Sequence, residues 1–160
     1  MVDAVIRAAG PGDAEAVYAL VRELAVFEHL EHLCTGSAGE LREALFGPQP
    51  AASALVAAAG GDIVGFALFF PTFSTFLARR GLWLEDVYVR PAWRSRGIGR
   101  RLIHAVARVA VERGCGRFEW AVLDWNAPAI GFYEGLGATV MPDWRITRVT
   151  GDALLRLGED

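Results

Sequence analysis

Leu82-Trp83-Leu84-Glu85-Asp86-Val87-Tyr88-Val89-Arg90-Pro91 runs through Ala92-Trp93 into Arg94-Ser95-Arg96-Gly97-Ile98-Gly99, and this stretch decides the fold. Its first half is rich in aromatic and β-branched residues and stops at a proline, which predicts a strand. Its second half opens a long helix near Gly97, with Ile98, Leu102, Ile103, Val106 and Ala110 as the buried stripe and Gly114 as the stop. The first turn of such a helix has backbone N–H groups without internal partners, and its dipole adds positive potential. Glycines let an anion approach that backbone, and Arg96, Arg100 and Arg101 add charge-assisted contacts, so the segment Arg94–Gly99 is a candidate pyrophosphate site. The same residues also read as a glycine-softened helix start with a solvated basic rim. The spacing is neither the G-x-G-x-x-G of a dinucleotide fold nor a loop ending in Gly-Lys-Ser/Thr.

On the N-terminal side, Val5–Ala8 reads as a strand ended by Gly10-Pro11-Gly12, and Asp13 as the cap of a helix carrying Val17, Leu20, Val21, Leu24 and Phe27. Ser37-Ala38-Gly39-Glu40 has the capping-box pattern of a second, shorter helix. Ala54–Ala57 and Ile63–Phe70 are strands joined by a hairpin turn at Gly60-Gly61-Asp62, and the apolar segment Pro71–Gly81 is a connection.

On the C-terminal side, Phe118–Val122 reads as the next strand. Asn126 caps a short helix holding Ile130, Phe132 and Tyr133, with Gly137 as its stop. Two strand-like pieces, Ala138–Met141 and Trp144–Val149, precede a last helical turn at Asp152–Leu157. The expected order is β-α-α-β-β-β-α-β-α-β-β: a meander, then a strand-helix-strand crossover. That is an α+β fold with a mixed, mostly antiparallel central sheet flanked by helices, and a single domain over 1–160.

A chain of 160 residues that is 53% hydrophobic and 22% charged builds its core without disulfides or metals. The net charge of −3 and the dispersed arginines argue against a dedicated nucleic-acid binder. Cys34 and Cys115 make neither a metal-ligand spacing nor a disulfide framework, and His29, His32 and His104 make no metal set, so no metal is expected. Met1-Val2-Asp3 leads directly into strand pattern, and no apolar run approaches the ~20 residues of a membrane helix. A cytoplasmic location, without membrane partners, is the resulting expectation.

Three ordered motifs resemble the GCN5-related N-acetyltransferase family: Leu84–Pro91, Arg94–Gly99, and Asn126-Ala127-Pro128-Ala129-Ile130-Gly131-Phe132-Tyr133-Glu134-Gly135-Leu136-Gly137-Ala138. A closer resemblance is to the spermidine/spermine subgroup and its diamine- and thialysine-acetylating relatives. It rests on Val5-Ile6-Arg7, Arg22–Glu28, Leu84-Glu85-Asp86, Trp125–Tyr133 and Trp144-Arg145. Phe27 departs from that subgroup's usual Tyr, and the second helix carries fewer acids than its members do.

The resemblance implies acetyl-CoA as cosubstrate, held by the backbone of Val87, Tyr88 and Val89, by Arg94, Ser95, Arg96, Gly97, Ile98, Gly99 and Arg100, and by Asn126. The strand carrying Val87–Val89 splays from its neighbour in that family, and a bulge near Asp86 or Val87 is a natural device for this. Tyr133 takes the place of the general acid that protonates the departing thiolate; its alternative is a packed helix tyrosine.

Glu85 is the candidate base and amine ligand, because a carboxylate inside an apolar strand needs a partner and an ammonium must lose a proton before it attacks. It also reads as a strand-edge charge facing solvent. Asp86 is expected on the opposite face in a structural role. Phe27 and Glu28 line the far end of an amine groove, or are simply solvated. Trp144 belongs to a last hairpin that in the subgroup helps form a homodimer, and it reads equally as core. The expected partner is a small polyamine, diamine or lysine-like amine. Another amine (an amino acid, a peptide N-terminus, an antibiotic) and a non-catalytic acetyl-CoA-binding module are the alternatives.

Overall fold

The structure is a computed structural model that describes residues 3–159. Met1 and Val2, read above as leading into the first strand, lie outside the described residues, as does Asp160. The chain divides into two compact units, Met1–Ala121 and Val122–Asp160.

The first unit holds β1 (Val5–Ala8), α1 (Ala14–Phe27), α2 (Ala38–Phe46), β2 (Ser53–Ala59), β3 (Asp62–Ser74), β4 (Arg79–Val89), α3 (Ile98–Glu112) and β5 (Arg117–Glu119). Its sheet runs β1-β2-β3-β4-β5, antiparallel except for the β4–β5 pair. The expected mixed, mostly antiparallel sheet flanked by helices is therefore the fold.

The two faces follow from the alternation of β3. Phe66 packs with Val17, Leu20 and Leu24 of α1, together with Val56, Ile63 and Tyr88. Its neighbour Gly65 looks the other way: a Cβ there would stand 3.2 Å from Val89 Cγ2 and 3.5 Å from Leu102 Cδ1 of α3. Adjacent strand residues face opposite sides, so α1 and α3 cover opposite faces of the sheet. Leu20, Phe66, Leu102 and Val106 are fully excluded from solvent, each contributing about 1.5–3 kcal/mol through its buried apolar area.

Four local expectations are revised. Pro71–Gly81 is not a loose connection: β3 and β4 extend through it, pairing Pro71 with Leu82 and Ser74 with Arg79 around a short turn. Asp13 stands at the N-cap of α1, but its side chain makes no capping bond there; its carboxylate takes the Arg7 guanidinium at 2.7 and 2.9 Å and the Gly10 N–H at 2.7 Å, which closes the turn before the helix. The strand predicted over Phe118–Val122 is only Arg117–Glu119. In the second unit, Ala138–Met141 and Trp144–Val149 form no strand. Apolar alternation makes a strand only where a partner supplies the ladder, and none pairs with these residues among those described. That unit contains α4 (Ala127–Gly135) and α5 (Gly151–Leu157).

Among the described residues no helix is long and apolar enough to cross a membrane.

Candidate active site

The carboxylates gather at a bulge in β4. Leu84 pairs with Phe69 and Asp86 with Leu68, consecutive residues of β3, so Glu85 is the extra residue with no partner across the ladder. A bulge cancels the alternation of faces locally. Tyr88 lies in the α1-side core, and Asp86, two residues earlier, therefore faces that side as well. The expectation that Asp86 faces away from Glu85 fails for this reason. Glu85 is exposed, and its Oε2 accepts the Trp83 indole N–H at 2.9 Å.

Asp86 is the electrostatic centre of the group. Burial, with the neighbouring Glu85 and Glu28 charges adding to it, pushes its carboxyl up to about 7. Glu28, the residue that caps the C-terminal end of α1, is also raised, by burial. Three carboxylates from two elements thus converge, which is the environment that favours an ammonium ion. Glu85 and Glu28 were legible as candidates and Asp86 was not. Its only sequence signal was the Glu-Asp pair itself, two consecutive acids in an otherwise apolar strand.

The ladder between β4 and β5 spans only Gly81–Trp83 against Arg117–Glu119. Beyond it, the outer edge of Leu84–Val89 has no strand partner among the described residues. The loop that follows enters α3 through two left-handed residues, Ser95 (φ 61°) and Gly97 (φ 74°). Gly97 is the N-cap of α3 and offers no side chain to its first turn, so that turn's N–H groups remain available to an anion. A Cβ at Gly97 would meet nothing within 4 Å, so the left-handed conformation and not crowding is what calls for glycine there.

The arginines divide. Arg96 lies over the Trp93 ring at 4.7 Å. The Arg94 guanidinium turns back from the loop: its Nε donates to the Val89 carbonyl at 2.9 Å, and it stacks on Phe27 at 5.1 Å and Tyr88 at 5.4 Å. Arg90 grips Glu23 of α1 with Nη2–Oε1 at 2.9 Å and Nε–Oε1 at 3.1 Å. Neither Arg94's inward turn nor the Arg90–Glu23 pair was legible in the spacing.

In the second unit, Asn126 accepts the Ala129 N–H at 3.3 Å and caps α4, with Pro128 in the first turn. Tyr133 lies on that helix, its ring 5.6 Å from that of Phe132. Trp144 lies outside regular structure and is 76% exposed, so in this chain it is not core. Among the described residues no group of His, Cys, Asp and Glu is set to hold a metal ion.

Comparison with known proteins bears on this arrangement. The acetyltransferase (GNAT) family matches residues 18–138. The chain is 38% identical to the thialysine N-epsilon-acetyltransferase of Sus scrofa, over 98% of each protein. It is 34% identical to an L-ornithine N5-acetyltransferase of Arabidopsis thaliana, over 93% of this chain and 85% of the relative. In fold, it is similar to an integron cassette protein from the mobile metagenome of V. cholerae, with a TM-score of 0.82 over 99% of both chains at 21% identity.

Proposed function

The chain belongs to the acetyltransferase (GNAT) family and is an acetyl-CoA-dependent N-acetyltransferase; from that premise we propose that its acceptor is a primary amine of a small diamine, polyamine or lysine-like molecule. The observation that carries the proposal is the convergence of Glu28, Glu85 and Asp86 at the β4 bulge. A molecule with two amines offers one nitrogen for reaction and a second, still cationic, for this acidic group. The relatives named for thialysine and L-ornithine, each of which carries a side-chain amine, support the same class.

The chemistry assigns each group a task. The amine arrives as an ammonium and must lose one proton. Glu85, exposed and held by the Trp83 indole, takes that proton through water. Asp86, with Glu28 beside it, faces the second nitrogen, which stays cationic. The freed nitrogen lone pair attacks the thioester carbonyl, the C–N bond forms and the C–S bond breaks. The leaving thiolate takes a proton from the Tyr133 hydroxyl, a donor that needs no charge of its own, and the second proton, shed by the nitrogen as the amide forms, restores the phenol. Backbone groups of Val87–Val89 hold the pantetheine arm. The N–H groups opening α3, with Ser95, Arg96, Gly97, Ile98, Gly99 and Arg100, hold the pyrophosphate. Phe27 and Glu28 line the far end of the amine groove, with Asn126 and Trp144 completing the cofactor and substrate contacts.

We further place both units in one functional domain, and the protein as a cytoplasmic homodimer acting on a small molecule without nucleic-acid or membrane partners. The net charge of −3 with dispersed arginines supports the absence of a nucleic-acid role.

A coenzyme-A-release assay across an amine panel tests the acceptor. Turnover is expected with 1,5-diaminopentane, spermidine, L-ornithine or thialysine. No turnover of any of these, with good turnover of a peptide N-terminus or an aminoglycoside, overturns the proposed acceptor and leaves the enzyme class standing.

A further inference from the structure

Two cations four residues apart, Arg90 and Arg94, meet two α1 residues also four apart, Glu23 and Phe27. On a helix that spacing is one face and one turn, so the last turn of α1 is clasped at two points. The first clasp is the Arg90–Glu23 pair at 2.9 Å. The second is the Arg94 guanidinium, with Phe27 and the largely buried Tyr88 ring as its stacking partners and the Val89 carbonyl as its acceptor. Tyr88 also lies between the clasps, since its phenol feels both Glu23 and Arg94.

Between Arg90 and Arg94 the chain makes one tight turn, with Trp93 N–H on the Arg90 carbonyl at 2.8 Å and Arg94 N–H on that of Pro91 at 3.2 Å. Arg94 is thus both the first residue of the loop that opens α3 and a packing partner of the helix end that presents Phe27 and Glu28. We infer that Arg94 is a positioning residue that couples the acetyl-CoA loop to the amine-facing end of α1, acting through Phe27 and the Val89 carbonyl and not as a phosphate ligand. Ordering the loop on the cofactor fixes the guanidinium, and a fixed guanidinium holds the last turn of α1 in place. A planar fork that donates in its plane and stacks on two rings is specific to arginine. This inference rests on the reading of the Arg94–Gly99 loop as the acetyl-CoA site.

Hydrogen exchange on the full chain, with and without acetyl-CoA, tests it. In the wild type, acetyl-CoA is expected to slow exchange both at Ile98–Leu102 and across Leu24–Leu30. In Arg94→Ala the first effect persists, while the second falls by at least roughly 5-fold, the lower end of a typical coupling between sites. Phe27→Leu, which leaves the loop untouched, should uncouple α1 in the same way. Arg94→Lys, with charge but no planar fork, should transmit less than half of the effect. Equal protection of Leu24–Leu30 in the wild type and Arg94→Ala overturns the inference, as does wild-type protection confined to the loop. No protection anywhere in the wild type overturns the acetyl-CoA reading itself, and the inference with it.

Discussion

Glu85 and Asp86 are consecutive in β4 and lie on the same side of the sheet, because Glu85 is the unpaired residue of a bulge and Asp86 resumes the ladder opposite Leu68. That arrangement puts two acids where an undisturbed strand would offer one. It also sets the buried carboxyl of Asp86 beside the charges of Glu85 and Glu28.

The pH dependence of stability follows from this carboxyl. An aspartate titrates near 3.9 in the unfolded chain and at about 7 in this fold. Between those values the folded state binds a proton that the unfolded state does not, so stability falls as pH rises from about 4 to 7. Asp86→Asn removes the effect. At pH 8 the variant should be more stable than the wild type, by on the order of 2 kcal/mol after solvent screening, and the two should converge below pH 4. Urea denaturation at several pH values measures it; parallel curves for the two proteins would show that Asp86 is ionised without penalty.

Tyr133→Phe removes the proposed proton donor and leaves α4 intact. The expected result is a kcat lower by roughly 10²- to 10³-fold, with thermal stabilisation by acetyl-CoA unchanged. A variant as fast as the wild type would assign protonation of the thiolate to water or another group.

Gly65→Ala tests the packing between β3 and α3. The new Cβ would stand 2.9 Å from the Tyr88 carbonyl oxygen and 3.2 Å from Val89 Cγ2. Backbone cannot yield as a flexible side chain does, so a loss of about 1–3 kcal/mol is expected. Chemical denaturation reads it directly, and an unchanged midpoint would contradict the close approach.

Ala78→Gly acts in the opposite direction. Ala78 holds φ 48° at the tip of the β3–β4 turn, a conformation costing an L-residue roughly 1–2 kcal/mol that glycine avoids. A net gain of about 0.5–1 kcal/mol is expected after the added backbone entropy of glycine. Thermal melting would show it as a raised Tm; a lowered one would place the turn in another conformation.

The sequence pattern carried most of the scaffold and part of the site. The stripe from Ile98 to Ala110 and the glycine at 97 are local signals, and both are met: α3 buries that stripe and Gly97 adopts positive φ. The Asn126 cap is local too, and forms. What escaped the reading depends on partners distant in sequence. The bulge at Glu85 exists only against the register of β3, and the shift of Asp86 comes first from its burial in the fold, with the charges of Glu85 and Glu28 adding to it. Arg94 was assigned to phosphate by its motif, but its guanidinium is occupied by Phe27, Tyr88 and the Val89 carbonyl, from two other elements. Trp144–Val149 has the alternation of a strand without a strand to pair with among the described residues.

The central claim is that Asp86, with Glu28 beside it, holds the second cation of a two-amine substrate. It is tested most directly by comparing kcat/KM for 1,5-diaminopentane with that for n-pentylamine, which has the same length and one amine fewer. The wild type should prefer the diamine by at least about tenfold, the value of one modest ionic contact, and Asp86→Asn should erase most of that preference. Equal rates for the two amines, or a preference for pentylamine, would contradict the claim.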